Sequence, residues 1–430
     1  MPCRCDFPDE SGRKSDQWPC PRTGSNRYGG RGSDPVYTGL RYHLNLARVA
    51  AGRVIPAMGD RLARQGVRAE ALPDPALPTG AGFVALEPLL AGICGSDLGL
   101  LTGRASPYLA PLTSFPAVLG HEVVARVVDT DAPLPRGTRV VVDPSLGCQA
   151  RGLPACPACA TGREDACAAR ADGGIGAGLL LGFNQTLPGG WATSMWAPRT
   201  QLHPVPDSIP SARAVLAEPL AIAAAGLQST HLAQARRVLV IGAGSLGLLA
   251  LYYIAAHHSV ELIVAARYPH QRDWAVRLGA GAVKFLDAQG VRDGLAGRAL
   301  GRGPLGAPPF YPEGADIVVD SVGSRSSFAT ALTLCRPDGE VLVLGALSAA
   351  ADLSPIWSRR LTVRGSFGYR VGGTTVFPAV LDLIRHAPEL DGVVTATFPL
   401  ERYADAVAAA LDRRAGSIKV AFAAHGDPER

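Results

Sequence analysis

The sequence predicts an α/β protein in which a doubly wound parallel sheet domain is inserted in a β-rich domain. Between residues 52 and 206, short β-like runs such as residues 82–87 and 138–143 are broken by Gly and Pro. Between residues 220 and 362, apolar strands alternate with glycine turns and helical stretches, which is typical of a parallel sheet covered on both faces. From residue 363 the chain returns to β character, so we expect the last segment to rejoin the first domain.

Composition limits the classes of protein to which this chain can belong. Its 430 residues exceed what one hydrophobic core usually serves, and 47% hydrophobic with 18% charged residues argue against general disorder. The net charge of +5 is small and the basic residues are dispersed, which argues against a nucleic-acid partner. The longest apolar stretches, such as residues 248–256, fall short of the roughly 20 residues that a membrane span requires. We therefore expect neither a nucleic acid nor a membrane as partner.

Changes in composition predict four segments. Residues 1–45, rich in Gly, Ser, Pro, Arg and Asp, are expected to form a disordered tail. Residues 46–215 form the first part of the β-rich domain, residues 216–362 the parallel sheet domain, and residues 363–430 the return to the β-rich domain. The N-terminus lacks the features of a secretory or transit peptide, and four of the nine cysteines lie in one short segment. This pattern favours metal binding over disulfides, and a reducing cytoplasm.

Five apolar runs predict the strands of the inserted sheet. They are residues 237–241, 261–265, 282–286, 316–320 and 340–344.

The first of these strands leads into a glycine turn. Gly242, Gly244 and Gly247 have GxGxxG spacing, with Ser245 and Leu246 opening a helical run. The first glycine permits the tight turn, the second lets the backbone approach a pyrophosphate, and the third lets the helix pack closely on the sheet. The helix N-terminus then supplies N–H groups to the phosphates. The sequence therefore predicts a dinucleotide-binding site here.

The end of the next strand distinguishes the two nicotinamide dinucleotides. An Asp or Glu at that point would hold the adenosine ribose hydroxyls. This strand is followed instead by Arg267, with His270 and Arg272 close behind. A guanidinium there can face a 2′-phosphate, which favours NADP. NAD is the alternative if Arg267 is only a solvated charge at the end of the strand.

A second set of residues has the chemistry of a metal site. Cys94 opens a Cys-Gly-Ser-Asp run, His121 and Glu122 follow a glycine, and Glu218 precedes a proline. A thiolate and an imidazole on separate loops suit zinc, which is a borderline-soft divalent ion. A carboxylate elsewhere can complete three protein ligands and leave one position open for catalysis.

The order of these motifs, over about residues 55–422, resembles that of the zinc-dependent medium-chain dehydrogenase/reductase family. The most similar branch includes sorbitol and threonine dehydrogenases. The resemblance implies a Rossmann domain inserted in a GroES-like catalytic domain. It also implies that Cys94, His121 and Glu218 ligate a catalytic zinc, and that Glu122 is a neighbouring carboxylate that can join the metal during turnover.

The same resemblance implies roles for two residues of the Cys-Gly-Ser-Asp run. Ser96 would relay the proton of the substrate hydroxyl, and Asp97 would orient the His121 ring. The implied reaction is hydride transfer between NAD(P) and a secondary alcohol, polyol or related hydroxy metabolite, or reduction of the matching carbonyl. The resemblance also implies a homodimer or homotetramer, joined through the cofactor-domain sheets or the cysteine-rich lobe.

Cys148, Cys156, Cys159 and Cys167 resemble the structural-zinc lobe of the same family, in which four thiolates close a tetrahedron. Seven residues separate Cys148 from Cys156, where the family pattern has two. A longer loop can still deliver the first ligand because the entropy of loop closure rises slowly with length. The alternatives are an empty lobe or a labile disulfide between two of these thiols.

Two other functions compete with the alcohol dehydrogenase. One is a zinc-free activity like that of quinone reductases on the same fold, against which the set Cys94, His121 and Glu218 argues. The other is a non-catalytic sensor that binds zinc and nucleotide, and the retention of Ser96 beside the full ligand set favours the enzyme over it.

Overall fold

The computed structural model describes residues 37–78, 82–129, 134–285, 311–347 and 351–425. The strands over these residues are β1 (Tyr37–Tyr42), β2 (Val67–Leu72), β3 (Phe83–Gly92), β4 (Ala117–Val118), β5 (Val123–Asp129), β6 (Arg139–Val142), β7 (Met195–Pro198), β8 (Leu202–Pro204), β9 (Arg237–Ile241), β10 (Glu261–Ala266), β11 (Ala282–Phe285), β12 (Ala315–Asp320), β13 (Cys335–Val343), β14 (Thr362–Gly365), β15 (Arg370–Val371), β16 (Thr374–Thr375), β17 (Val394–Phe398) and β18 (Lys419–Phe422).

The α-helices over the same residues are α1 (Leu46–Val54), α2 (Pro56–Ala63), α3 (Gly95–Leu101), α4 (Pro157–Ala160), α5 (Ser211–Ala214), α6 (Ala217–Gln228), α7 (Ser245–His257), α8 (Pro269–Arg277), α9 (Arg325–Leu334), α10 (Ser354–Ser358), α11 (Phe377–Arg385) and α12 (Tyr403–Leu411). Within the described part of the chain, none of them has the length and apolar character needed to cross a lipid bilayer.

The inserted domain is built on a parallel sheet whose strand order, among the described residues, is β11-β10-β9-β12-β13-β14. Counted from β9, this is the doubly wound order 3-2-1-4-5-6 of a Rossmann sheet. All five predicted strands are present, and β13 begins earlier than predicted, at Cys335. The last strand, β14, spans the predicted domain boundary at residue 362, so the sheet extends beyond that boundary to Gly365.

Both faces of this sheet are covered, as the continuous apolar strands predicted. Along β9, Val238 and Val240 face one hydrophobic core, while Leu239 and Ile241 face the other. All four side chains are fully buried. The alternation follows from the period of two residues along a strand, and it explains why no polar residue interrupts β9 after Arg237.

The β-rich domain contains a sheet in the order β17-β18-β3-β5-β6-β8, with β7 also paired to β3, and a smaller sheet in the order β2-β1-β4. Its main pairings are antiparallel, apart from the parallel pair β17 and β18. The last strand, β18, pairs with β3 through Ala421 and Gly92. The C-terminal segment thus adds a strand to the sheet that also contains β3.

The predicted tail over residues 1–45 extends too far along the chain. Residues 1–36 lie outside the described residues, but Tyr37–Tyr42 form β1 and pair with β2 over the full length of the strand. Tyr37, Leu40 and Tyr42 are buried. The partners of β1 lie in later segments, so its stability depends on contacts that local composition does not reveal.

A helical hairpin that the sequence did not predict, α1 and α2, lies between β1 and β2. Gly52 and Gly59 bring the two helices against the end of α3, since a Cβ at Gly52 would lie 2.0 Å from the carbonyl oxygen of Thr102. Arg53 donates hydrogen bonds to the carbonyl oxygens of Gly103 and Ala105. The hairpin therefore packs against the end of α3 and donates hydrogen bonds to the loop that follows it.

A half-buried histidine contributes to the packing of the C-terminal segment on the first part of the chain. The ring of His203, in β8, stacks on Phe377 at the start of α11, with centroids 4.6 Å apart. Within the described residues, its Nε2 is buried and has no hydrogen-bond partner. Burial, together with the charge of Arg370, lowers the pKa of His203 to about 4.

We predict that His203 makes the folded protein less stable in mild acid. Its folded-state pKa is about 4, whereas its ordinary value is 6.5, so its contribution is present above pH 6.5 and lost as the pH falls towards 4. The loss amounts to at most about 3 kcal/mol. The free energy of unfolding in urea should be measured for the wild type and for His203→Phe, which keeps the ring stack. Near pH 8 the two values should differ by a constant, and towards pH 5 the wild type should lose stability relative to the variant. Parallel curves over the whole range would contradict this.

Candidate metal and cofactor sites

The Cys-Gly-Ser-Asp run forms the start of α3. Cys94 is the N-cap residue, and its backbone N–H donates to Oδ2 of Asp97 at 2.9 Å. The other oxygen, Oδ1, lies 3.6 Å from Nδ1 of His121. Asp97 is fully buried. One carboxylate therefore holds the backbone at Cys94 and faces the ring of His121, as the predicted orienting role requires.

His121 follows a glycine whose conformation the turn requires. Gly120 has a φ of +96°, and a Cβ there would lie 2.3 Å from Cδ1 of Trp191. Burial by itself lowers the pKa of His121, but the Asp97 carboxylate and the neighbouring Cys94 outweigh burial and raise that pKa well above its usual value. The imidazole therefore lies in a strongly negative surrounding.

Ligand atoms of Cys94, His121 and Glu122 all lie within 4.8 Å of one another. A sulfur, a ring nitrogen and a carboxylate oxygen form a donor set that suits zinc. Beside them the hydroxyl of Ser96 is buried with no hydrogen-bond partner among the described residues. Both the donor chemistry and this orphaned hydroxyl fit a metal with an open position for a substrate oxygen.

Glu218 lies near this group but is not one of its three members. It is buried in the first turn of α6 and interacts electrostatically with His121 and Glu122. Its Oε1 accepts a hydrogen bond of 2.5 Å from the hydroxyl of Tyr369, which is 151 residues away. Burial is the largest influence, and it raises the pKa of Glu218 to about 7.

Two further residues of this cluster were not predicted from the sequence. Lys419, in β18, is buried and forms an ion pair with Oε2 of Glu122. Tyr369 is buried too, and its burial and the charge of Glu218 raise its pKa well above the usual value. Lys419 had a visible signal, since it is a single cation inside an otherwise apolar run, Ile418–Phe422. Tyr369 had none.

The four clustered cysteines come together as predicted. Ligand atoms of Cys148, Cys156, Cys159 and Cys167 lie within 4.8 Å of one another, and all four are free thiols. The Cys148 and Cys167 sulfurs are 3.6 Å apart, which excludes a disulfide between them here. Backbone N–H groups of Cys159 and Ala168 lower the pKa of Cys156 to about 6. The geometry fits a tetrahedral thiolate site.

Arg151 explains how the long loop before Cys156 still delivers Cys148. The Arg151 side chain is almost fully buried inside the loop. Its guanidinium donates to the carbonyl oxygens of Asp172, Gly176 and Gly178. These bonds fold the inserted residues back onto the next loop, so the extra length does not displace the cysteine.

The glycine turn after β9 has the predicted local structure. Gly242 has a φ of +94°, and a Cβ at Gly247 would lie 2.0 Å from the carbonyl oxygen of Gly242. By contrast, a Cβ at Gly244 would meet nothing within 4 Å. Gly244 is the N-cap of α7, which begins at Ser245 and continues with Leu246. The turn therefore leaves an open approach to the helix N-terminus, where phosphates bind.

This turn lies where the order of the sheet reverses. β9 is flanked by β10 on one side and by β12 on the other, and ligands of doubly wound sheets bind at such a switch point. Arg267 follows β10 and is exposed. The next residues include Tyr268 and His270, whose rings are stacked 5.7 Å apart. The strand end thus offers a guanidinium, as the NADP prediction requires.

Two family profiles match the chain. The profile described as "Alcohol dehydrogenase GroES-like domain" matches residues 80–207, and the one described as "Zinc-binding dehydrogenase" matches residues 245–386.

Curated proteins match over most of the chain. A probable zinc-binding alcohol dehydrogenase of Mycobacterium tuberculosis (strain ATCC 25618 / H37Rv) is 30% identical over 362 residues, which cover 82% of this chain and 85% of that protein. L-galactonate-5-dehydrogenase of Escherichia coli (strain K12) is 30% identical over 267 residues, which cover 61% of this chain and 68% of that protein.

Solved structures share the fold. A protein of Sinorhizobium meliloti 1021 bound to NADP, assigned as a zinc-binding dehydrogenase, has a TM-score of 0.68 at 24% identity, covering 90% of this chain and 99% of that chain. 2R,3R-butanediol dehydrogenase from Bacillus subtilis has a TM-score of 0.65 at 22% identity with the same coverage. The chain belongs to the zinc-dependent medium-chain dehydrogenase/reductase family, as these matches, its Rossmann and GroES-like domains and the order of its motifs show.

Proposed function

We propose that this protein is a zinc-dependent alcohol dehydrogenase that transfers hydride between NAD(P) and a secondary alcohol, polyol or related hydroxy metabolite. The observation that carries the proposal is the group formed by Cys94, His121 and Glu122, whose ligand atoms lie within 4.8 Å of one another in a chain that also has a dinucleotide turn. The relatives support the substrate class, since they include dehydrogenases of galactonate, sorbitol and butanediol.

In this proposal Cys94, His121 and one carboxylate hold the catalytic zinc. The structure favours Glu122 for the carboxylate, because its oxygen belongs to the group of three. Glu218, the carboxylate that the sequence motifs implied, lies close enough to interact with both His121 and Glu122 and stays a candidate ligand. A bound zinc ion supplies Lewis acidity, which lowers the pKa of an alcohol hydroxyl.

The remaining residues position the ligands and move the proton. Ser96 Oγ, buried without a partner in the described part of the chain, accepts the proton from the substrate hydroxyl and passes it outward. Asp97 fixes the orientation of His121 and caps the backbone at Cys94. The hydroxyl of Tyr369 holds one oxygen of Glu218.

The cysteine cluster, Cys148, Cys156, Cys159 and Cys167, is proposed to hold a second, structural zinc. The free state of the described cysteines supports a reducing compartment, and we place the enzyme in the cytoplasm. The open edge strand β14 carries the exposed Val363, with Phe367 and Trp357 close by in the sequence. This apolar edge supports a homodimer or homotetramer assembled through the cofactor-domain sheets.

We predict that Cys94→Ser abolishes turnover but leaves cofactor binding intact. Loss of the thiolate removes one metal ligand, and kcat on the preferred alcohol should fall at least about 1,000-fold, or ~4 kcal/mol in activation free energy. Fluorescence titration with NADPH should give an unchanged Kd. Cys335→Ala, in the cofactor domain, is the control and should keep wild-type kcat. Normal turnover of Cys94→Ser would refute the proposed mechanism. Metal and cofactor binding without turnover in the wild type would favour the sensor.

We predict that Cys159→Ser removes one of two zinc equivalents per chain. The cluster is then left with three thiolates, so the structural ion is held weakly and the folded state loses its contribution. Elemental analysis should find one equivalent in the variant, and differential scanning calorimetry should show a lower Tm. Two equivalents in both proteins would contradict the assignment.

We predict that Arg267→Ser weakens NADPH but not NADH. A charge-assisted hydrogen bond to a phosphate contributes roughly 1.5–3 kcal/mol, so the Kd for NADPH should rise about 10- to 100-fold. Isothermal titration of both cofactors measures the ratio. An equal change for NADH and NADPH would show that Arg267 does not read the 2′-phosphate.

A further inference from the structure

The ion pair between Lys419 and Glu122 is the most deeply buried one among the described residues. The side chain of Lys419 is 2% exposed and that of Glu122 is 1% exposed. The same ammonium donates a hydrogen bond of 3.2 Å to the carbonyl oxygen of Ile93, the residue before Cys94. Lys419 therefore connects β18 to Glu122 and to the residue that precedes Cys94.

The backbone around this pair is shaped to admit it. A Cβ at Gly92 would lie 2.0 Å from Oε2 of Glu122 and 2.9 Å from Cε of Lys419. Gly92 also pairs with Ala421 of β18, so the strand carrying Lys419 is held against this glycine. The space for the carboxylate and the ammonium is thus created by the absence of a side chain on β3.

The use of lysine in this chain is unusual. Of its 42 basic residues only three are lysines, Lys14, Lys284 and Lys419; all the others are arginines. A guanidinium is a wide, planar fork, whereas an ammonium is a compact point charge that can direct its protons to several acceptors. A pocket bounded by the Glu122 carboxylate, the Ile93 carbonyl and the Gly92 backbone suits the ammonium.

The charges around the site require a cation besides the metal. Cys94, Asp97, Glu122 and Glu218 are four groups that can carry negative charge, and a divalent ion balances two of them. Lys419 interacts electrostatically with Cys94, Glu122 and Glu218. An unpaired buried charge destabilises the folded state by several kcal/mol. The position of the Lys419 ammonium therefore decides which carboxylate oxygens are paired with a protein cation rather than with the metal.

Resting on the proposed function, we propose that Lys419 is a positioning residue of the metal centre that holds Oε2 of Glu122, so that Glu122 offers the metal its other oxygen only. The open coordination position then stays available to substrate. Without the ammonium, both oxygens of the carboxylate turn to the metal and close that position.

The test is the visible spectrum of the Co²⁺-substituted full-length protein, because absorption by Co²⁺ reports coordination number and geometry. The spectrum of Cys94→Ser, which keeps the cysteine cluster, is subtracted to isolate the active-site ion. In Lys419→Met the active-site absorption per bound Co²⁺ should fall about twofold as coordination number rises. kcat of the zinc enzyme should fall about 10- to 100-fold at unchanged zinc content.

Two further variants separate positioning from simple stability. Glu122→Gln/Lys419→Met should give the same Co²⁺ spectrum as Glu122→Gln, since Lys419 acts through the Glu122 carboxylate. Arg213→Met is the matched control, because Arg213 is a buried cation paired with Asp391 at 2.8 Å and lies outside the three-donor group. It should lower the Tm without changing the spectrum.

An unchanged spectrum per bound Co²⁺ in Lys419→Met would overturn the inference. The inference would also fail if the change from Glu122→Gln to the double variant alters the spectrum as much as the change from wild type to Lys419→Met. If Lys419→Met does not fold, the comparison between Glu122→Gln and the double variant decides in the same way. If the wild type and Cys94→Ser give identical spectra, no ion occupies the active site and the proposed function itself fails.

Discussion

The catalytic domain depends on a balance of charge among buried side chains. Asp97, Glu122 and Glu218 are each at most 5% exposed, and Cys94 adds a potential thiolate. Buried charges destabilise a fold unless they are paired, and the positive charges of Lys419 and of a protonated His121 do not balance four acidic groups. The raised pKa of Glu218, about 7, has burial as its largest cause. A pocket of this kind favours a divalent cation, so binding chemistry and fold stability are coupled here.

The groups of this pocket come from distant parts of the chain, and sheet pairing brings them together. The antiparallel pair β3 and β5 places the segment before Cys94 beside the segment after Glu122. The α6 helix then adds Glu218, and β18 closes the sheet by pairing with β3. Because β18 follows the inserted domain, the pocket needs residues from both sides of that domain in the sequence. The insertion of one domain in another thus makes the site a product of global folding.

Local patterns predicted what local physics determines. The apolar runs predicted β9 to β13, and the glycine spacing predicted the turn from Gly242 to Gly247. The spacing of the cysteines predicted a cluster that the structure also forms, despite the long loop. The strand β1, the hairpin of α1 and α2, and the partners Lys419 and Tyr369 were missed. Each of these depends on a segment well separated in sequence, and among them only Lys419 had a local signal, as a single cation in an apolar run.

The positions of Glu122 and Glu218 also depend on structure that sequence periodicity does not reveal. Neighbouring side chains on an extended strand point to opposite faces, so strand periodicity alone does not place His121 and Glu122 in one site. The backbone bends at Glu122 before β5 begins at Val123, and its carbonyl oxygen accepts a hydrogen bond from Gly92. This bend lets both side chains face Cys94, while the Tyr369 hydroxyl holds Glu218. A departure from regular strand geometry over two residues thus brings the Glu122 carboxylate beside the thiolate and the imidazole.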